Sequence, residues 1–141
     1  MEKANLTKEQ REKIIAAMRS SGAVVGYLFG SYGRGTANLR SDVDVAVVFP
    51  YSVSFESQEN YVEKLRNDME KIFGADKVDV VNINTLKNPL LLYLATLGEG
   101  EVLFTDDVLL KNHIAIQALR DFEDTKYLRH IQSESLKKLF V

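Results

Sequence analysis

Cysteine is absent from the 141 residues, which excludes a disulfide framework and any thiolate metal site and suits a reducing compartment. Histidine occurs only twice, as His113 and His130. Both fall in helical stretches and far apart, so no histidine cluster is expected, and nothing supplies the base of a Ser-His-Asp hydrolase. No run of eighteen apolar residues occurs, and the opening MEKANLTKEQ lacks a basic segment followed by an apolar one. Neither a membrane span nor a secretory leader is expected, and the reading is a soluble cytoplasmic protein. An excess of one charge is missing too: 18 Lys and Arg stand against 20 Asp and Glu, a net charge of -2. With the basic residues scattered, the electrostatic footprint of a nucleic-acid binder is absent, and no direct contact with nucleic acid is expected.

What is present describes an ordinary globular chain. Hydrophobic residues make up 45% and charged residues 27% with no low-complexity run, so one domain over residues 1–141 with a buried core is expected. Thr7 with Gln10 three positions on marks a capping box, and Ile14, Ile15 and Met18 follow at helical spacing until Gly22, which predicts a helix over Leu6–Ser20. Val24–Phe29 and Val43–Phe49 are short, apolar and β-branched, closed by Gly30 and Pro50, and read as buried strands. Tyr61, Val62, Leu65, Met69, Ile72 and Phe73 predict an amphipathic helix over Phe55–Phe73 with Gly74 behind it. KVDVVNI, Lys77–Ile83, is a third strand; Asn88-Pro89 opens a leucine-rich helix to Leu97; Glu101–Phe104 is a short edge strand. From Asp106 to about Leu139 one or two helices follow, with Thr125–Val141 a possible loose tail. A mixed β-sheet flanked by helices, an α/β (α+β) fold, accommodates this order.

Chemistry concentrates in GSYGRGTANLRSDVD, residues 30 to 44. Asp42 and Asp44 stand at the head of a strand and share a face, roughly 6 to 7 Å apart. Carboxylates at the mouth of a strand that is otherwise apolar on both faces need partners or ions, and oxygen-only ligands suit Mg²⁺ or Mn²⁺, held as a pair. Capping of the turn by Asp42 with Asp44 on a wet edge accounts for the pair as well. Gly30 and Ser31 open a glycine-rich turn whose backbone N–H groups and hydroxyl can cradle phosphate, although such a turn can equally be a plain connection. Arg34, within the turn, can clamp a phosphate oxygen or orient an aspartate, or simply face solvent. If the two strands pair antiparallel, Gly30-Ser31 lies beside Asp42 and Asp44. Asp79, between valines in the third strand, completes a carboxylate triad if that strand neighbours the second; otherwise it is an edge residue facing water.

Gly30-Ser31, ten intervening residues and Asp42-x-Asp44 match the G-S-x10-D-x-D signature, and the pattern with its flanking strands resembles the DNA polymerase β-like nucleotidyltransferases. The small size and element order are similar to the minimal nucleotidyltransferases, the MNT proteins. The resemblance implies the nucleotidyltransferase fold, with Gly30 and Ser31 on the triphosphate of ATP, Asp42 and Asp44 binding two Mg²⁺ ions, and Asp79 joining the catalytic metal and accepting the proton of the attacking hydroxyl. It further implies an MNT antitoxin in a hetero-oligomer with a HEPN ribonuclease toxin, silencing it by transferring AMP from ATP to a toxin tyrosine. One departure is Gly33, where many relatives carry alanine. Two other functions remain open: transfer to a small molecule, as in aminoglycoside-modifying relatives, and neutralisation of a partner by binding alone. The apolar stripes Leu90–Leu97 and Ile114–Leu128 are expected to be core, with a partner surface on the last helix as the alternative.

Overall fold

The computed structural model describes residues 3–139; Met1, Glu2 and the last two residues of the expected tail, Phe140 and Val141, lie outside it. The expected capping box starts the first helix. The Thr7 hydroxyl accepts the Gln10 N–H at 3.0 Å, while the Gln10 side-chain oxygen Oε1 accepts the Thr7 N–H at 2.9 Å, and α1 runs over Lys8–Ser20. Strands β1 (Val25–Phe29), β2 (Val43–Val48), β3 (Val78–Asn82) and β4 (Glu101–Thr105) form one sheet in the order β3-β2-β1-β4. Pairing is antiparallel between β1 and both β2 and β4, and parallel between β2 and β3. The parallel pair requires a crossover, which α3 (Phe55–Phe73) provides. The sheet is thus mixed, as the sequence implied, and helices cover it on both sides.

Strand alternation decides what each face buries. Val43, Val45 and Val47 of β2 pack with Ile14 and Met18 of α1 and with Leu65 and Met69 of α3. The other parity, Ala46 and Val48, packs with Val25, Tyr27 and Phe29 of β1 under α4 (Pro89–Tyr93), a π-helical turn at Leu94–Gly98, and α5 (Val108–Leu139). Every residue from Val43 to Val48 is buried except Asp44, which is half-buried. A central strand sandwiched on both sides explains why β2 reads as an unbroken apolar run.

Three local features differ from the expectations. Residues 30–34 coil into a short helix, α2 (Gly30–Arg34), rather than an open turn, with Gly35 at φ 76° as its left-handed stop. Leucines 90–97 do not form one α-helix, because the chain widens into the π turn after Tyr93. The third is a correction: α5 is one helix of 32 residues, within the expected one or two, but its apolar stripe is only partly core. Leu110, Ile114 and Ala118 are buried, whereas Ile116 is 58% and Leu128 59% exposed. At 1.5 Å per residue α5 extends about 48 Å, beyond the ~17–20 Å strands it covers, so its far half has no sheet beneath it.

Candidate active site

The antiparallel register of β1 and β2 sets Phe29 opposite Asp44. Gly30 therefore meets the Asp44 side chain directly. Its φ is 64°, which favours glycine, and a Cβ built on it would overlap the Asp44 carboxylate, which would have to move aside. The turn that follows is equally confined: a Cβ on Gly33 would lie 2.7 Å from the Glu99 carbonyl oxygen and 2.8 Å from that of Leu28. A side chain at Gly33 would thus push on two backbone carbonyls of this chain.

In the parallel register of β2 and β3, Asp44 stands opposite Asp79. Both side chains emerge on the α4–α5 face of the sheet, at the mouth of the two strands, with Asp79 exposed on the edge strand. Asp42 precedes β2 and is exposed. The Asp44 carboxyl is pushed up to about 6, first by burial, then by the charge of Asp79, then by the charge of Asp42. Arg34 acts in the opposite direction. Among the described residues no group of three acidic or histidine side chains converges at metal-ligand spacing. The carboxylates form a close pair, Asp44 and Asp79, with Asp42 within charge reach: the ladder fixes the first two, while Asp42 hangs on a loop.

Ser31 is half-buried in α2, and its carbonyl oxygen accepts the Thr36 N–H at 2.9 Å, which closes the turn. Arg34, at the last position of α2, pairs with Glu99 at 2.9 Å. Sequence reasoning missed Glu99. Its only signal was an acidic residue between two glycines, Gly98 and Gly100, and pairing across 65 positions cannot be read from spacing. Gly30, Ser31, Arg34, Asp42, Asp44 and Asp79 gather at one rim of the sheet, whereas His113 and His130 are both exposed on α5. No helix among the described residues is long and apolar enough to cross a membrane.

The family described as "Polymerase beta, Nucleotidyltransferase" matches residues 12–109, which hold the whole rim and the sheet. A relative from Methanocaldococcus jannaschii, which carries the provisional name protein adenylyltransferase MJ1379, is 39% identical over 62 residues. That match covers 44% of this chain, and the chain spans 59% of the relative's length. Among solved structures, a chain from a toxin-antitoxin complex with AMP-PNP superposes with a TM-score of 0.68 at 21% identity, covering 90% of this chain and 98% of that one. A chain from the complex of tri-AMPylated Shewanella oneidensis HEPN toxin with MNT antitoxin gives a TM-score of 0.66 at 18% identity, covering 94% and 99%. At such identities these two likenesses concern the fold.

Proposed function

The chain belongs to the polymerase β nucleotidyltransferase family, and from that premise we propose that it transfers AMP from ATP to a tyrosine hydroxyl of a partner HEPN toxin and so acts as its antitoxin. The observation that carries this reading is the pair of registers that brings Gly30 and Asp79 to opposite sides of Asp44. A phosphate-binding turn and a carboxylate cluster then belong to one site. The adenylyltransferase name of the archaeal relative and the HEPN–MNT complexes sharing the fold support the choice of AMP and of a protein acceptor. A solved complex with AMP-PNP supports ATP as the donor.

The donors are all carboxylate oxygens, the chemistry that suits a hard cation, and Asp42 would have to close from its loop onto the Asp44–Asp79 pair to complete the set. Asp44, held half-buried beside a second carboxyl and pushed towards the neutral form, gains most from a positive charge, and Asp42 and Asp79 offer further oxygens. Mg²⁺, or Mn²⁺, held by Asp42, Asp44 and Asp79 would neutralise charge on the phosphates and on the attacking oxygen. The remaining roles fall to the chain. Gly30 gives the triphosphate a close approach to backbone, Ser31 offers a hydroxyl, and Arg34 brings a cation to the phosphate side of the rim. Asp79, the more exposed partner, accepts the tyrosine proton as the new oxygen–phosphorus bond forms at the α-phosphate and pyrophosphate leaves. Positioning accounts for most of the catalysis.

Incubation of the chain with α-labelled ATP, Mg²⁺ and its cognate HEPN toxin tests the proposal. Label on a toxin tyrosine, lost in Asp44→Asn, is expected. If no label appears and Asp42→Asn with Asp44→Asn still neutralises the toxin, neutralisation by binding alone is the better reading.

A further inference from the structure

Among the described residues, three arginine-carboxylate contacts tie distant parts of the chain, and one differs from the other two. Arg11 donates two N–H groups to Glu101, at 2.6 and 3.2 Å, and Arg19 donates two to Asp106, both at 3.0 Å. Arg34 meets Glu99 as an ion pair with one nitrogen–oxygen approach of 2.9 Å, and not through aligned N–H bonds like the other two. Its guanidinium thus keeps donors for another acceptor, and Arg34 stands at the rim, where its charge reaches Asp44.

Glu99 itself has little freedom. Its N–H donates to the Leu94 carbonyl at 3.0 Å, its own carbonyl oxygen seats against Gly33, and a Cβ on Gly100 would collide with the Ala95 carbonyl. The side chain is only 24% exposed, against 46% for Arg34. A carboxylate on a fixed backbone therefore stands as the charge partner of a longer, half-exposed cation.

We infer that Glu99 is a positioning residue for the polyphosphate: it holds the Arg34 guanidinium at the rim of the carboxylate cluster, with N–H groups left for the β- and γ-phosphates. This rests on the nucleotidyltransferase reading above. Two effects of the Glu99 charge oppose each other. It repels a polyphosphate, and it orders Arg34 before binding, so that less rotamer freedom is lost on binding. The limited reach of the pair and the restraint of the Glu99 backbone make ordering the larger effect.

Calorimetric titration of the full chain with ATP and with AMP, both with Mg²⁺, decides the matter. Glu99→Gln, which keeps shape and removes charge, is expected to weaken ATP binding about 5-fold, the equivalent of roughly 1 kcal/mol. AMP, which lacks the outer phosphates, should bind within about twofold of the wild type on the same scale. In an Arg34→Ala background Glu99→Gln should add nothing, and in transfer assays it should raise KM for ATP while leaving kcat in place. Unchanged or tighter ATP binding by Glu99→Gln, an equal loss for AMP, or an equal loss with Arg34 already removed overturns the role. A wild-type chain that binds no ATP overturns the functional reading itself, whereas ATP binding insensitive to Glu99→Gln overturns only the positioning role.

Discussion

Charged side chains meet in two contrasting regions. Along the seam between α1 and β4, opposite charges face each other in two-bond geometry: Arg11 on Glu101, and Arg19 on Asp106, with the Arg19 guanidinium also 4.8 Å over the Phe104 ring. At the mouth of β2 and β3, like charges face each other, Asp44 against Asp79 with Asp42 nearby, and a left-handed glycine is pressed against the central one. The seam relieves charge and holds an amphipathic helix to an edge strand. The rim accumulates charge that the fold alone does not neutralise, and such an arrangement persists where a ligand completes it. The contrast yields tests of decreasing size.

The largest effect is expected at the rim, and with opposite signs for activity and stability. Asp44→Asn should lower transfer by roughly 10³-fold or more, since the central carboxylate of the cluster is lost. The same substitution should stabilise the metal-free protein at neutral pH, because it removes repulsion that the fold otherwise sustains. Activity assays beside thermal melts in EDTA measure both. Asp44→Asn that loses activity and stability together would mean that the rim is a structural feature like the seam.

Gly30→Ala ranks next. A residue with a side chain at φ 64° costs about 1–2 kcal/mol, and the added methyl must displace the Asp44 carboxylate. Displacement of that order should cost about 10²-fold in transfer. Gly33→Ala pushes on two backbone carbonyls instead, and should lower stability by about 1–3 kcal/mol in urea unfolding. If Gly33→Ala is silent, the seating of α2 on Glu99 is looser than the structure shows.

These positions also show how far the sequence carried. The rim was legible because its logic is local: Asp42-x-Asp44 at the head of an apolar strand, a glycine turn at the tail of the preceding one, and an aspartate isolated among valines. Antiparallel pairing of β1 with β2 and adjacency of β3 were stated as conditions, and both hold. The capping box was legible too, since its partners lie three residues apart. Glu99 was not, because its partner lies on another element. Nor was the exposure of Ile116 and Leu128: helical periodicity tells which residues share a face, and not whether the domain beneath extends far enough to cover them. The coiling of residues 30–34 into α2 escaped for a different reason, since three glycines within six residues disfavour a helix locally and only packing against β1 and β2 imposes it.

A smaller effect follows from pH. The Asp44 carboxyl titrates at about 6 in the folded chain against an ordinary 3.8. Because the folded value is raised, its contribution to stability is complete below about pH 4 and is lost as pH rises through about 6. In EDTA, the wild type should therefore lose stability between those values relative to Asp44→Asn. Asp44 is only half-buried, so solvent screening limits the difference to about 1 kcal/mol. Added Mg²⁺ should remove the slope by neutralising the pair. Parallel pH profiles for wild type and Asp44→Asn in EDTA would place the proton elsewhere.

The smallest effect belongs to the seam. Each side chain of the Arg19–Asp106 pair keeps about half of its surface in water, 52% and 46% exposed. Its two N–H bonds hold the Asp106 carboxyl below its ordinary range, through the hydrogen bond first, but water screens the pair and the fold has α1 packed through Ile14 and Met18 regardless. Asp106→Asn should therefore lower the melting temperature slightly in low salt and not at all near 1 M salt, where the Debye length is about 3 Å. Transfer should be unchanged, since the pair lies on the α1 side of β4, opposite the face that carries Asp44 and Asp79. A salt-independent loss of stability, or a loss of transfer, in Asp106→Asn would show that the two regions are coupled through β4 and the Glu99 segment that precedes it.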